Sequence, residues 1–414
     1  MSSHFPDIMP ETKPNRPLSA AMNRLYDQFN PLDDLGNEFY THFKYSKVTG
    51  LGPEKMVSRR DPSNIIRVNG VYYTYYTCRK TPDPVGRDKC TDELPGADWD
   101  LADIWYATST NGVDWIEQGI AVPRAPKGTC GDRSLATPQV MAEGGKYYLY
   151  YQAYTGRFGY RTPEQLADLM QPHHGFEVKN LHPDVCCASM AWADSPEGPW
   201  TRLDKPLIEP GTRDEWDGAI HDPTPIKFKG KYYIYYKATP LIKTERNSLI
   251  MMGCAISDSP MGPFVKPLEN PVLLGGHETF FYPYRDGIAC VQIYDGPEKN
   301  TVQFSKDGIN FEVKAHVMLP PVGAGPFCPD MFADNGDGQG VTWGVCHMFS
   351  EEPGYSCYIA RFDCALSQKV NRPELKRYLL RFDENTYFQK KFLLSGKQRE
   401  QYLEDMKQTD TDML

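Results

Sequence analysis

A chain of 414 residues, 40% of them hydrophobic and 13% aromatic, has enough apolar side chain for a sizeable core, and its 26 tyrosines, 35 prolines and 34 glycines favour short strands joined by tight turns. A formal net charge of −9 with no clustered run of Lys and Arg excludes a nucleic-acid binder, because phosphate neutralisation needs such clusters. The 11 cysteines contain no Cys-x-x-Cys pair, so neither a disulfide framework nor a thiolate zinc site is expected. Reduced core thiols fit a cytoplasmic protein, or a periplasmic one if a leader has been removed; no apolar stretch is long enough to span a bilayer, and no membrane partner is expected.

Near the N-terminus, "PLSAAMNRLYDQF" offers Ser19 as an N-cap and a partial apolar face of Ala21, Met22, Leu25 and Tyr26, which predicts a helix. Residues 1–50 are read as an N-terminal helical extension serving dimerisation. From residue 51 the chain repeats. "NGVYYTYY" (69–76), "GGKYYLYY" (144–151) and "KGKYYIYY" (229–236) each join a glycine turn to alternating aromatics, the period-2 signature of a strand, and "DGIACVQIY" (286–294) and "GVTWGVCHMF" (340–349) are weaker copies. A second recurrent piece, "ATSTNGVDW", "AWADSPEGPW", "AISDSPMGPF" and "QFSKDGINF", reads as a strand, a polar turn and an aromatic start to the next strand. A third precedes each aromatic strand: "RRDPSNIIRV", "LATPQVMAE", "IHDPTPIKFK", "HETFFYPYRD" and "GPFCPDMFAD". Five cycles of about four strands predict an all-β fold, a five-bladed β-propeller over residues 51–370; a β-sandwich would leave the repeat unexplained. Two interruptions, residues 78–103 and 154–187, are expected to rim one side of a pocket, the second with a short helix at "TPEQLADLM" capped by Thr162. Residues 371–414 form a charged, partly helical C-terminal extension.

In a propeller the first strand of each blade lines the channel, and residues at its entrance face the axis. By this reading Asp61, Thr137, Gln139, Asp222, His277, Glu278, Tyr282 and Asp330 occupy equivalent places, with proline fixing φ and removing a ladder donor at the strand start. An isolated Asp-Pro is usually a turn device. Its recurrence at Asp61 and Asp222, joined by His277-Glu278, directs several acids at one axis. Glycoside hydrolysis requires such a set: one carboxylate deprotonates water or attacks the sugar while another group protonates the leaving oxygen, with inversion where the partners stand roughly 6.5–9.5 Å apart. His277 and Glu278 cannot share a direction within a regular strand, so a turn at "GGHETF" would have to relax the alternation; His277 has a structural histidine as its alternative reading, and Glu278 is either the proton donor or a group that orients a catalytic partner. Thr137, Gln139, Arg133, His221 and Tyr282 are the candidate sugar-binding residues. "SKDGINF" (305–311) is similar to the Asp-box turns of sialidases, but the inner positions lack the arginine triad that such a substrate needs. Trp99, Trp105 and Trp216 are candidate stacking platforms, with core packing the alternative.

Taken in order, "RRDPSNII", "HDPTPIKFKGKYYIYYK", "GHETFFYPY" and "DGPEKNTVQFSKDGINFE", with Ser19, Ala21, Arg24 and Asp27 in an S-x-A-x-x-R-x-x-D pattern, resemble glycoside hydrolase family 117 across residues 15–365. That family comprises the α-1,3-(3,6-anhydro)-L-galactosidases. The resemblance implies a five-bladed propeller, a homodimer made by exchange of N-terminal helices, and exo-acting removal of 3,6-anhydro-L-galactose from agar-derived oligosaccharides such as neoagarobiose. It implies Asp61 as the base that activates water, Asp222 as the acid that sets pKa and orientation, and His277 as general acid with Glu278 beside it. It also implies a divalent cation near the pocket, although the chemistry requires no cofactor and the residues show no dense ligand cluster. Gln139 stands where related sequences can carry Glu. Activity on another marine galactan or a furanoside, or carbohydrate binding without turnover, are therefore the alternatives.

Overall fold

The computed structural model describes residues 13–26, 37–157, 163–172, 175–181, 185–203, 205–211, 215–243, 250–293, 295–350 and 352–376. Each sequence cycle folds as an antiparallel unit around its aromatic strand, in an all-β propeller. In the first unit Ser58–Arg60 and Ile66–Val68 pair with Val71–Arg79, followed by Asp103–Ser109 and Trp115–Val122. The second runs Ser134–Glu143, Lys146–Tyr154, Cys186–Ala193 and Thr201–Arg202, and the third Ala219–Phe228, Lys231–Thr239 and Met251–Ser257. Phe280–Arg285, Gly287–Gln292, Thr301–Ser305 and Glu312–His316 make the fourth; Gly325–Phe327, Gly338–Phe349 and Cys357–Ser367 make the fifth. The last two units are not separate sheets, because Tyr284 and Arg285 pair with Gln339 and Gly338 and fuse them into one eight-stranded sheet.

The ring closes through the N-terminal segment. Lys44–Lys47 adds a strand to Cys357–Ser367, with Lys44 opposite Asp363 and Lys47 opposite Ala360. Ile65 N–H donates to Pro326 O at 2.9 Å, which joins the first unit to the fifth. The boundary expected at residue 50 thus leaves one strand of the propeller on its N-terminal side. Helix Ala20–Tyr26 forms where expected: Ser19 Oγ accepts from Met22 N–H at 3.2 Å, and Ala21 and Met22 are fully buried. Arg24 fixes it to the fourth unit through Glu298 and Gln303. Helix Pro163–Leu169 is present, whereas its expected cap Thr162 and residues 377–414 lie outside the described residues. No helix among the described residues is long and apolar enough to cross a membrane.

The tyrosine-rich strands do more than alternate. In each of the first three units the fourth residue of the motif reaches across to the polar turn of the next unit. Tyr75 donates to Pro196 O, Tyr150 to Pro260 O at 2.8 Å and Tyr235 to Gly308 O at 2.8 Å. Each hydroxyl satisfies a turn carbonyl while its ring fills the seam between units, and Tyr235 stacks on Phe281 with centroids 4.1 Å apart. The fifth unit serves the first with different residues: Trp343 lies against Gly112, where a Cβ would come within 2.5 Å of the indole, and Arg361 donates to Gly112 O at 3.3 Å.

His42 is 1% exposed in the closing segment, with Nε2 3.1 Å from the Tyr40 hydroxyl. Burial lowers its pKa to about 4. The unfolded chain therefore takes up a proton near pH 6.5 that the fold resists until about pH 4, so stability is lost as pH falls through that window. The stability difference between the wild type and His42→Gln, measured by denaturant unfolding, is expected to shift against the wild type by about 3 kcal/mol between pH 7 and pH 4. A pH-independent difference would contradict it.

Candidate active site

One backbone device builds the site. At the equivalent place in every unit, within the first strand or no more than two residues from its end, a residue turns left-handed: Asp61 (φ 49°), Thr137 (48°), Asp222 (50°), Glu278 (57°) and Gly323 (54°). At Thr137 and Asp222 the turn opens a bulge in the ladder, between Ala136 and Gln139 and between His221 and Thr224. These five residues line one small central cavity. Proline follows three of them, so the sequence signal was real, but the effect differs from the expected loss of a ladder donor. The left-handed turn breaks the alternation of side chains, so that Arg60, Ala136, His221 and His277, each one residue earlier, also face the wider cleft of about 440 Å³ above.

Arg60 organises the charges. Its Nε donates to Asp61 Oδ2 at 2.8 Å and its Nη2 to Glu278 Oε1 at 3.1 Å, while Nη1 lies 3.6 Å from Asp98 Oδ2. Its guanidinium sits 5.2 Å from the Trp99 ring centroid. Burial disfavours this cation, but Asp61, Glu278 and Asp98 outweigh that and hold its pKa well above the ordinary value. Burial alone would likewise raise the Asp61 carboxyl; Arg60 and then His347 hold it far below the usual carboxylate range. Asp61 is therefore ionised in the resting site, and its buried Oδ1 lies 3.1 Å from His347 Nδ1, the nitrogen that already accepts from Asp61 N–H. Lys237 Nζ lies 3.2 Å from Asp222 Oδ2. His277 stands between two acids, with Nε2 3.8 Å from Glu278 Oε1 and Nδ1 3.4 Å from Asp295 Oδ2. The hydrogen bond to His277 is the main cause that lowers the Asp295 pKa.

A second ring of polar residues supports the first. Thr77, Gln152, Lys237 and His347 all sit opposite the residue before a left-handed turn. Thr77 Oγ1 accepts from Thr137 N–H at 2.9 Å, Gln152 joins Thr137 to His221, and Asp61 N–H donates to His347 Nδ1 at 3.1 Å. Gly323 makes room for this last contact, since a Cβ there would lie 2.3 Å from His347 Nδ1 and 3.1 Å from Asp61 Oδ1.

The fold brings Asp61, Thr137, His221, Asp222, His277 and Glu278 together in the cleft, and Gln139 lines the central cavity beneath it with its Oε1 held by Asn64 N–H. It does not bring in the others. Tyr282 is fully buried in the core beside Phe280 and Tyr284, because its strand starts after the Glu278 turn and its ring faces inward. Arg133 is buried against Asp100 and lines a different cleft, between the first two units. Asp330 is not the fifth equivalent position; it accepts from Gln339 N–H at 2.9 Å, and Gly323 takes that place. Of the tryptophans, Trp99 lines the cleft, while Trp105 lies under Lys80 and Trp216 stacks on Tyr236 in the core.

The donor set suits a divalent cation. Ligand atoms of Asp61, Glu278 and His347 lie within 4.8 Å of one another, and Asp61 Oδ1 and Glu278 Oε2 are buried without a partner, so two carboxylates and an imidazole fit such an ion.

An acid-lined cleft at the axis of a β-propeller, with one carboxylate held ionised and an imidazole held by another, defines a glycoside hydrolase. The chain is similar to Zg3597, a family 117 glycoside hydrolase of the marine bacterium Zobellia galactanivorans, with 42% identity, a TM-score of 0.73, and coverage of 85% of this chain and 98% of that one. It belongs to glycoside hydrolase family 117. Two further structures, one described as a glycoside hydrolase and the other as a complex of BT0996 with RGII, share the fold at 15% identity, with TM-scores of 0.51 and 0.52 over 78% of this chain and 92% of theirs. No family model and no curated protein matches the sequence.

Gly323→Ala is expected to displace His347 and Asp61 and to lower kcat by about 100-fold, the scale of a misplaced catalytic group. Steady-state kinetics alongside circular dichroism test this, and a variant that keeps wild-type kcat would show that the glycine is not needed there.

Proposed function

We propose that the protein is an exo-acting, inverting hydrolase that releases 3,6-anhydro-L-galactose from the non-reducing end of neoagarobiose and related oligosaccharides. Membership of family 117 supports the reaction class, and the observation that carries the site is the convergence of Asp61, Asp222 and Glu278 on one cavity through equivalent left-handed turns. We read the five antiparallel units as five blades.

In this reading Asp61 Oδ1 accepts a proton from water as the water oxygen attacks the anomeric carbon. The glycosidic C–O bond breaks, and the leaving oxygen takes a proton from His277. Asp295 and Glu278 flank the imidazole at its two ring nitrogens. Asp222, paired with Lys237, hydrogen-bonds sugar hydroxyls beside Thr137 and His221. Solvent then returns the proton from Asp61 to His277. Asp61, Glu278 and His347 would hold a divalent cation, which supplies positive charge among the acids; the proton transfers above belong to the side chains. The N-terminal helix is read as the exchanged element of a homodimer, in which the Arg24–Glu298 contact seen within the chain would be replaced by the same contact to the partner.

Asp61→Asn is expected to lose at least about 10³-fold in kcat while remaining folded. A general acid must carry its proton, so activity falls as pH rises through its pKa. His277→Gln should abolish that alkaline limb and retain more activity on a substrate with an activated aryl leaving group than on neoagarobiose. If Glu278→Gln behaves that way instead, Glu278 is the donor. Product analysis on agar, porphyran, carrageenan and furanoside oligosaccharides checks the substrate, and proton NMR of the first-formed anomer checks inversion. Light scattering of a chain beginning at residue 37 is expected to show a monomer; an unchanged dimer mass would remove helix exchange as the cause.

A further inference from the structure

The second unit holds a thiol pair that the hydrolytic chemistry does not use. All 11 cysteines are free, and among them Cys130 Sγ lies 3.2 Å from Cys187 Sγ, about 1 Å beyond the length of an S–S bond. Cys187 belongs to the strand Cys186–Ala193, opposite Ala153, and is buried. Cys130 is half-buried in the loop that leads into Ser134–Glu143. That loop is held to the same sheet edge by Gly131 N–H to Thr155 Oγ1 at 3.2 Å and Arg133 N–H to Tyr154 O at 3.1 Å. Strand alternation directs the neighbouring Cys186 to the other face, where its Sγ lies 3.4 Å from His221 Nδ1 and 3.6 Å from Ile220 O. The vicinal pair therefore points apart, and the pair distant in sequence points together.

We propose that Cys130 and Cys187 form a reversible disulfide, with a hydroperoxide as the oxidant. Cys130 is the attacking group. It is the more accessible of the two, and the hydrogen bond from Cys187 lowers its pKa to about 7 against the opposing effect of burial, while the same contact pushes Cys187 up. Its thiolate attacks one peroxide oxygen, the O–O bond breaks, and the departing oxygen leaves as hydroxide and takes up a proton. The resulting sulfenic acid is attacked by the Cys187 sulfur; the S–O bond breaks and the oxygen leaves as water with the Cys187 proton. Two thiols have then lost two protons and two electrons, and one hydrogen peroxide has become two waters.

The bond would staple the loop to the second unit, three residues from Arg133. Arg133 is paired with Asp100 and donates to Thr91 O at 2.6 Å, so the staple also anchors the segment that carries Asp98 and Trp99 at the cleft rim.

The full chain, reduced and then treated with equimolar hydrogen peroxide, is expected to lose two hydrogens in intact mass and to yield a peptide pair joined through Cys130 and Cys187 on non-reducing digestion. Its unfolding midpoint should rise and return with dithiothreitol. Cys130→Ser, a loop substitution whose fold is checked by circular dichroism, should show neither the cross-link nor the rise. Joining of Cys186 to Cys187, oxidation of Cys130 to a sulfinic acid without a cross-link, or retention of all thiols would each overturn the proposal.

Discussion

The left-handed turn at the start of each inner strand is the constraint from which the rest of the site follows. A residue with a Cβ at φ near 50° costs about 1–2 kcal/mol, and Asp61, Thr137, Asp222 and Glu278 all adopt it. Four such residues together are an appreciable fraction of the net stability of a domain, so the strain persists only because the surroundings determine it. They do so in two layers. The polar ring of Thr77, Gln152, Lys237 and His347 engages the turns directly, and the tyrosine hydroxyls that cap neighbouring turns fix how the units sit against one another. What the strain secures is direction: a regular strand would send consecutive side chains to opposite faces, whereas the bulge lets two successive residues serve one cleft.

Within that geometry the chemistry depends on unequal treatment of similar acids. Asp61 and Glu278 share Arg60, and the buried guanidinium is itself fixed by Asp98, which Arg79 holds in turn at 2.9 Å. The Asp61 oxygen that Arg60 does not bind faces His347 Nδ1 at 3.1 Å. At the opposite side His277 has a carboxylate near each ring nitrogen, Glu278 at 3.8 Å and Asp295 at 3.4 Å.

Much of this was legible before the fold was known, for identifiable reasons. The aromatic repeat is strong because the same seam between units recurs, and Asp61, Thr137 and Asp222 are marked by the proline after them. Where that mark is absent, sequence reasoning lost its footing. Nothing in "GHETF" distinguishes the residue at the turn from the one before it, although the cleft uses both. In the fifth unit the turn falls on a glycine in "VGAGPF", and the Asp in "CPD" drew attention to position 330 instead. Arg60 was hidden by the alternation rule, which sends it to the face opposite Asp61 until the left-handed turn at Asp61 is known. Asp295 lies in a loop beyond any periodic signal. The polar sixth position of "YYTYYT", "YYLYYQ" and "YYIYYK" was a readable clue, since a charge or amide closing an aromatic strand has to meet a partner.

The glycine in the fifth unit also explains how a repeated backbone yields an asymmetric site. With five equal turns, five side chains would meet at the axis and fill it. Gly323 withdraws one of them, and the vacated space is taken by the His347 ring and the Asp61 carboxylate. Thr137 contributes a small neutral group beside it, so the acids of the first, third and fourth units face one another across a cavity open on two sides to uncharged positions. A sugar, which carries hydroxyls and no charge, can occupy the cleft of about 440 Å³ above this cavity without adding to the charge balance that Arg60 and Lys237 already maintain. The position that contributes no functional group is therefore the one that lets the others act on a substrate.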